Sequence, residues 1–298
     1  MGIYLAACQP TPFTIPPFSA LFLVRNRHWP RCPPHFDTIA PDVVPDVTCK
    51  IEPILDGALR RMTSELMDFE KFTATEHIEH QQIDRYGLPE PSKKRAYSYV
   101  VFVHPLAKDS FYLEEARDGG NDAPDLPIPF ITTRLNNLGV AVLQPFYRRR
   151  FNYSCDGLGN ARGQAACKST SRRSVMLPGE GVRRWHPGVK SFDVPVKGRI
   201  WISSPNFAVL RIESDIREPV EALELTKDHL LVEYGPVNFS AGNVQLWLPW
   251  SPDMYTEYKG KRYHNRHFLS DYMLFGVDST HKIGKPAESP DSPTKMSP

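Results

Sequence analysis

The segment from Tyr263 to Asp271 carries residue types that could bind a metal ion or catalyse hydrolysis. A zinc site needs several nitrogen or sulfur ligands that converge on one point. His264 and His267 are three positions apart in the sequence. This odd spacing means that a β-strand would direct their imidazoles to opposite faces. Arg266 adds unfavourable positive charge, and no third ligand stands nearby. The pattern therefore favours two surface histidines and predicts no metal site.

The same segment contains the residue types of a serine hydrolase, because Ser270 and Asp271 follow His267. A hydrolase nucleophile commonly stands in a G-x-S-x-G turn, and no such turn or ordered trio is present. The glycine pair in Asp156–Gly159 predicts a turn and is too short a signature for a phosphate-binding loop. The sequence thus predicts no catalytic residues, no cofactor and no enzymatic activity.

A basic cluster surrounds the histidines and could contact phosphates or lipid headgroups. A solvated hairpin tip is the simpler interpretation, and the formal net charge of +2 gives no overall attraction to nucleic acid. The cluster and its neighbouring aromatic residues are Lys259, Lys261, Arg262, His264, Arg266, Tyr255, Tyr258 and Tyr263.

The five cysteines include no CxxC pair and no Cys/His spacing typical of zinc sites. Cys155 and Cys167 flank the sequence DGLGNARG, which favours a hairpin that would place them nearly opposite each other. A disulfide between them is one interpretation, if the compartment is oxidising. Two buried thiols that behave as small apolar groups are the alternative.

Proline is unusually frequent, with 29 prolines among 298 residues, against an average of about 5%. Residues 1–48 are predicted to be disordered, or to be a misassigned start that replaced an export signal. Leu5–Cys8 resembles a lipobox but lacks the preceding basic and apolar regions, so no credible signal peptide is present. Phe18–Val24 is too short to span a membrane, which predicts no transmembrane segment there. Residues 49–283 are predicted to form one domain, and residues 284–298 a disordered tail.

Two helices are expected to cover apolar surface. The first begins after Cys49, because its apolar residues recur at helical spacing, and Pro53 suits a first turn. The second carries a similar stripe and ends at Pro145. The first stripe consists of Ile54, Leu55, Ala58, Leu59, Met62, Leu66 and Phe69, and the second of Ile131, Leu135, Leu138 and Val142.

Strands dominate the remainder of the chain. The clearest pattern is the hairpin Val196–Glu213, where apolar and polar residues alternate on both sides of a Ser-Ser-Pro-Asn turn. One face is predicted to be apolar, and Arg199, Trp201, Arg211 and Glu213 are predicted to pair in water on the other. Further strands are predicted at 72–84 (an edge strand), 96–104, 110–117, 221–234 (ended by a turn at Gly235-Pro236), 244–248, 253–258 and 262–277.

Six sequence motifs, each typical of a strand, follow one another along the chain. They are FNYSCDGLG from Phe151, GRIWI from Gly198, VLRIE from Val209, VEYGPVNF from Val232, LWLP from Leu246 and RYHNRH from Arg262. Over roughly Ile51 to Ile283 this series resembles bacterial envelope proteins similar to the outer-membrane lipoprotein-sorting (LolA/LolB-like) superfamily. The resemblance implies an α+β, mainly β fold, in which a curved antiparallel sheet forms a half-barrel. About two helices would pack on its concave face.

The resemblance also implies a non-enzymatic periplasmic or envelope-associated protein that binds an acyl chain, a lipid or a lipidated protein. Burial of each CH₂ group contributes about 0.8 kcal/mol, so an aliphatic concave face is a natural acyl-chain site. A closed core under the helices is the competing interpretation of the same residues. The candidate lining residues are Ile200, Ile202, Leu210, Ile212, Leu223, Leu225, Leu246, Leu248, Phe268, Tyr272 and Leu274.

A different function is compatible with the same fold. A sensory or scaffolding module would use the sheet to dock an envelope protein partner, for example by adding a strand at an exposed edge. Saturable binding of an apolar probe would separate the two hypotheses.

Overall fold

The computed structural model describes residues 43–44, 47–107, 110–118, 139–140, 142–161, 163–173, 183–185, 192–239 and 244–276. The helices are α1 (Ile51–Leu66) and α2 (Pro145–Arg148), with a 3-10 turn at Glu221–Leu223. The strands are β1 (Phe69–Ile83), β2 (Lys93–Ala107), β3 (Ser110–Asp118), β4 (Phe151–Ala161), β5 (Gln164–Arg173), β6 (Arg183–Trp185), β7 (Phe192–Val194), β8 (Val196–Ser203), β9 (Val209–Ile216), β10 (Leu225–Phe239), β11 (Val244–Tyr258) and β12 (Lys261–Gly276).

Ten of these strands form one antiparallel sheet, in the order β3-β2-β1-β12-β11-β10-β9-β8-β5-β4. The two end strands do not pair with each other, so the sheet is open. Strands β6 and β7 form a separate pair. The predicted mainly β fold with an open antiparallel sheet is therefore confirmed.

Strand β1 is an internal strand, and its prediction as an edge strand is wrong. It pairs with β12 on one side and with β2 on the other. Phe72, Ala74 and Ile78 are buried on one face, but Glu76 and His80 are buried on that face too. These polar residues mask the apolar alternation by which an internal strand is recognised.

Helix α1 confirms the prediction of a helix after Cys49, and it packs on the sheet through Leu55, Ala58 and Leu66. The helix also packs closely at Gly57, where an added Cβ would lie 2.5 Å from the ring of Phe207. Arg61 Nη1 donates a hydrogen bond to the Asn206 carbonyl at 2.9 Å. The turn between β8 and β9 therefore contacts α1 directly.

Strand β10 differs from the prediction at both ends. Residues Glu221–Leu223 form the 3-10 turn, and the strand begins at Leu225. Gly235 and Pro236 do not end the strand, since they pair with Leu248 and Trp247 of β11. A Cβ at Gly235 would lie 2.5 Å from the Trp250 ring. Gly235 leaves room for the Trp250 indole. In the sequence, a glycine that leaves room for a ring cannot be distinguished from a glycine that ends a strand at a turn.

A β-bulge in β12 exchanges the two faces of the strand. Thr73 pairs with Met273 and Thr75 with Ser270, so β12 has one extra residue there, and Asp271 has a φ of +51°. As a result Phe268 is 52% exposed, whereas Leu269 is 4% exposed. The prediction that Phe268 shares a face with Tyr272 and Leu274 is wrong, because it assumed unbroken alternation.

This bulge predicts opposite responses at adjacent positions. Leu269→Ala is expected to lower the free energy of unfolding by about 2–5 kcal/mol, because it empties part of the core. Phe268→Ala is expected to change it by no more than about 0.5 kcal/mol, because the ring is exposed. Urea denaturation of the two variants measures both values, and a larger loss for Phe268→Ala would contradict the assigned faces.

Parts of the predicted organisation lie outside the described residues. These are most of the helix from Ile131 to Val142, most of residues 1–48, and the tail 284–298. Val140, Val142 and Leu143 are buried, and α2 begins at Pro145, where the predicted helix ended. Val44 donates a backbone hydrogen bond to Leu158 of β4. Neither described helix is long and apolar enough to cross a membrane.

Candidate functional site

The apolar face of the sheet forms one core together with α1. Most of the predicted lining residues lie in this core, and each of them is buried. They are Ile200, Ile202, Ile212, Leu246, Leu248, Tyr272 and Leu274. Tyr272 also donates its hydroxyl to the Pro249 carbonyl. The structure thus brings these side chains onto one face and places the helix on top of them.

The other predicted lining residues lie elsewhere. Leu223 and Leu225 pack in a second apolar cluster, and Phe268 is exposed. Leu210 packs in a third cluster around Trp201, apart from Ile212. A register shift explains this separation, because Trp201 pairs with Arg211 whereas Ile202 pairs with Val209. Leu210 is the extra residue, so the predicted common face of Leu210 and Ile212 is wrong.

A cavity of about 40 Å³ lies at the seam between α1 and the sheet. Ligand pockets commonly measure about 300–1,000 Å³, so this cavity does not accommodate an acyl chain as it stands. Its lining includes Ala58, Met62, Leu66, Phe207, Tyr234, Trp247 and Leu248. Of these residues, only Leu248 was predicted from the sequence to line a site. The aromatic residues come from a turn and from strand positions that have no distinctive sequence pattern.

Polar groups surround this cavity. Arg61 Nε and Glu65 Oε1 form an ion pair at 2.7 Å, and the Trp247 backbone N–H donates to Glu65 Oε2 at 3.3 Å. Burial raises the pKa of Glu65, although Arg61 opposes that change. The Arg61 guanidinium lies 5.4 Å from the centre of the Trp247 ring. The indole N–H of Trp247 is buried and has no hydrogen-bond partner among the described residues.

A buried ionic network joins β1, β3 and β12. Arg117 Nη2 donates to Glu76 Oε1 at 3.0 Å, and Arg117 Nε contacts the other carboxylate oxygen. His267 Nδ1 lies 2.7 Å from Glu76 Oε1. Burial alone would raise the pKa of Glu76, but the hydrogen bonds from His267 and Arg117 outweigh burial and lower this pKa to about 2. Glu76 is therefore a buried carboxylate that two positive or hydrogen-bonding partners hold in its ionised form.

The histidines of β12 do point to opposite faces, but the expectation that they lie on the surface is wrong. His264 is buried, stacks on Tyr255 at a centroid distance of 4.0 Å, and lies 3.1 Å from Asp253. Ser270 donates its hydroxyl to Asp271 at 3.0 Å, on the face opposite His267. The serine, histidine and aspartate of this segment thus do not assemble into a hydrolytic trio.

The predicted basic cluster is divided by the fold. Lys259 and Lys261 are exposed at the hairpin tip between β11 and β12, whereas Tyr255, Tyr263 and His264 are buried. The buried members pack within the sheet and are not available to an external headgroup. This division follows from burial, which the residue types alone do not reveal.

A second buried ionic group lies on the other face of the hairpin β8–β9. Arg199 and Glu213 pair across the strands as predicted, with Nη1 and Oε2 at 3.8 Å, but both side chains are buried and not in water. His229 lies between two carboxylates, at 3.6 Å from Glu213 and 3.6 Å from Asp215. Arg199 thus lies close to a buried carboxylate, which offsets part of the cost of burying the two charges.

Three cysteine sulfurs converge at the start of α1. Cys49 lies beside both Cys155 of β4 and Cys167 of β5, at Cα–Cα distances of 5.7 Å and 6.7 Å. The three Sγ atoms lie within 4.8 Å of one another. The hairpin β4–β5 is confirmed, but its tight turn lies after Ala161, and Asp156–Gly159 belongs to β4. Cys49 could not be predicted as a partner from the sequence, because its separation of 106 residues from Cys155 gives no local signal.

The hairpin register also moves the two predicted cysteines out of direct opposition. Cys155 pairs with Ser169 and Leu158 pairs with Cys167, with a bulge at Asp156 between them. Gly157 has a φ of +136°, and Val43 packs on it. The bulge places both sulfurs beside Cys49. A bond between Cys155 and Cys167 themselves remains a prediction.

Comparison with models of known protein families gives no match, and comparison with curated proteins gives none. Several solved structures are similar in fold. A DUF1329 family protein from Desulfovibrio piger is 11% identical, with 78% of this chain and 96% of that chain covered and a TM-score of 0.43.

Two further structures carry names related to lipoprotein sorting. A protein domain from Vibrio parahaemolyticus, assigned to outer membrane lipoprotein sorting, is 12% identical over 74% of this chain and 91% of that chain, with a TM-score of 0.40. A LolA superfamily protein from Nitrosomonas europaea is 9% identical over 72% of this chain and 90% of that chain, with a TM-score of 0.33. The names of these two structures include the group that the strand motifs resemble. At these identities and TM-scores no residue role is transferred.

Proposed function

We propose that this protein is a non-enzymatic envelope protein that binds an acyl chain of a lipid or lipidated protein between α1 and the apolar face of the sheet. One observation carries the proposal: an open sheet presents a mainly apolar face whose cover is a single long helix among the described elements. Burial of each CH₂ of a chain on this face would contribute about 0.8 kcal/mol.

Binding requires α1 to move, because the seam cavity measures only about 40 Å³. Several partly exposed polar contacts hold α1, including the hydrogen bond from the Trp247 backbone N–H to Glu65 Oε2 at 3.3 Å. Arg148 bonds Asp56 at 2.7 Å and Glu52 at 3.2 Å, and Arg61 bonds the Asn206 carbonyl at 2.9 Å. Exposed ion pairs contribute about 0–1 kcal/mol each. An acyl chain would replace part of the apolar contacts of α1, which offsets part of the free energy needed to displace the helix.

The seam also offers groups that suit the polar end of a lipid. The Trp247 indole N–H is an unpaired donor at the cavity, and the Arg61 guanidinium lies beside it. A buried donor without a partner is unfavourable, so a ligand oxygen that accepts from it would stabilise the complex. We therefore favour an amphipathic ligand with an oxygen-bearing head over a simple hydrocarbon.

Location in the envelope is part of the proposal. Cysteine sulfurs at bonding distance are typical of proteins in oxidising compartments such as the bacterial periplasm. Lipoprotein sorting at the outer membrane, in the name of the Vibrio parahaemolyticus domain, is compatible with such a location.

Docking of a protein partner by strand addition is less well supported. Among the described strands, β3 and β4 lie at the two ends of the sheet. Val43 already bridges to Gly159 of β4. Strand β3 carries Glu114, Glu115, Arg117 and Asp118, and charged side chains are a common protection against edge pairing.

Met62→Glu is expected to weaken binding of a fluorescent fatty-acid probe at least about tenfold, because it places a carboxylate in the apolar seam. Met62 is partly exposed, so the glutamate can reach water in the free protein and the fold is retained. Fluorescence titration of wild-type and variant protein gives the two dissociation constants, and circular dichroism verifies folding.

Ser64→Glu is the matched control for this experiment. It introduces the same charge on the same helix at an exposed position, and it is expected to leave the dissociation constant unchanged within about twofold. Absence of saturable probe binding by the wild-type protein would overturn the proposed function. Equal weakening by both variants would overturn the placement of the site under α1.

A further inference from the structure

We propose that Cys49, Cys155 and Cys167, hereafter the three-cysteine cluster, form a thiol–disulfide exchange site in which Cys49 alternates between two partners. Both alternatives are sterically available. The Cα–Cα distances are 5.7 Å from Cys49 to Cys155 and 6.7 Å from Cys49 to Cys167. Disulfides usually span about 4.4–6.8 Å between Cα atoms, so neither pairing requires the backbone to move.

A sulfur atom forms only one disulfide bond, so the cluster holds one bond and one thiol. In the exchange, the Cys167 thiolate attacks Cys49 Sγ, a Cys49–Cys167 bond forms, and the Cys49–Cys155 bond breaks. The electron pair of the broken bond leaves on Cys155 Sγ as a thiolate. One disulfide and one thiolate are present before and after, so the step needs no external oxidant.

The surroundings of Cys155 favour this leaving group. The Cys49 backbone N–H donates to Cys155 Sγ at 3.0 Å, and a hydrogen bond to sulfur stabilises its thiolate form. Cys49 and Cys155 are partly exposed, whereas Cys167 is buried. Cys49 and Cys155 are therefore nearer to solvent, and Cys167 acts as the internal nucleophile.

The exchange has a mechanical consequence for α1. Lys50 is the only residue between Cys49 and the first residue of the helix, Ile51. The start of the helix is therefore tied either to the edge strand β4 or to its inner neighbour β5. This chemistry does not depend on the proposed ligand, so the lipid-binding proposal and the exchange proposal can fail separately.

Disulfide mapping tests the exchange. The reduced full-length protein is refolded with oxidised glutathione, which accepts two electrons and becomes two thiols. Acid quenching then traps the linkages, free thiols are alkylated, and digestion with trypsin and Asp-N separates all five cysteines for mass spectrometry. We expect Cys49–Cys155 and Cys49–Cys167 in amounts within about tenfold of each other, a difference of at most about 1.4 kcal/mol.

Single variants provide the second measurement. Cys155→Ala is expected to retain the Cys49–Cys167 bond, and Cys167→Ala the Cys49–Cys155 bond. A single linkage in the wild-type protein, or failure of either variant to form its remaining bond, would overturn the proposal. Recovery of a Cys155–Cys167 linkage in place of both would overturn the role of Cys49 as the shared partner.

Discussion

Glu76→Gln is expected to lower the free energy of unfolding by about 3–5 kcal/mol, because it removes the counter-charge of a buried ionic network. Glu76 is fully buried and accepts hydrogen bonds from Arg117 and His267. Glutamine keeps the size of the side chain but leaves the Arg117 guanidinium without its carboxylate. The total stability of a domain is about 5–15 kcal/mol, so the loss is readily measured by urea denaturation.

The same residue determines a pH dependence whose sign can be stated. The pKa of Glu76 is lowered from 4.5 to about 2 in the folded protein. A carboxyl group with a depressed folded-state pKa contributes stability that is fully present above its unfolded value and is lost as the pH falls through its folded value. Wild-type protein should therefore lose stability between pH 4.5 and about 2, and Glu76→Gln should lose less over that interval.

Glu79→Gln is the control for both measurements. Glu79 lies on the same strand, and its carboxylate pairs with Arg266 at 3.0 Å, but both side chains are partly exposed. A partly exposed pair contributes about 0–1 kcal/mol, so this variant should remain close to wild type at every pH. Equal losses in the two variants would show that the network of Glu76 does not stabilise the fold.

The double variant Cys155→Ala/Cys167→Ala is expected to lose about 4–5 kcal/mol relative to the oxidised wild-type protein. It leaves Cys49 without a partner in the three-cysteine cluster and opens a loop with a sequence separation of 106 or 118 residues. The chain-entropy estimate for closing a loop of 100 residues is about 4.7 kcal/mol. Each single variant should lose much less, about 1 kcal/mol, because the remaining cysteine closes a loop of similar length.

Reduction provides the internal control for these variants. In excess dithiothreitol the wild-type protein should become about as stable as the double variant, since neither then contains the bond. Thermal or urea unfolding of the four proteins, with and without reductant, measures every comparison. Additive losses from the two single variants would contradict a shared partner, and wild-type stability that is unaffected by reductant would contradict a stabilising disulfide.

Elements with local sequence signals could be located and assigned as helix or strand from the sequence alone. The apolar stripe from Ile54 to Leu66 identified α1, and the alternation around the Ser-Ser-Pro-Asn turn identified the hairpin of β8 and β9. Together with the remaining strand patterns, these signals predict a mainly β fold, whereas the open half-barrel was implied by the resemblance to lipoprotein-sorting proteins. Helical and strand periodicities depend only on near neighbours, so they can be recognised without knowledge of the tertiary structure.

Which side chains share a face of the sheet could be determined from the tertiary structure alone. The bulge at Asp271 separates Phe268 from Leu274, and the register shift at Leu210 separates Leu210 from Ile212. One extra residue reverses every side chain beyond it, and the pairing partner that accommodates a bulge lies on another strand. Strict alternation was therefore correct within short segments and wrong across them.

The burial and the contacts of the residues that could carry chemistry also depend on the tertiary structure. Glu76, His264 and His267 are buried because partners distant in sequence satisfy their charge or hydrogen bonds. Cys49 meets Cys155 and Cys167 only because α1 begins beside the hairpin β4–β5. Burial and long-range contact depend on how the sheet and the helix come together, and no local pattern of residues records that arrangement.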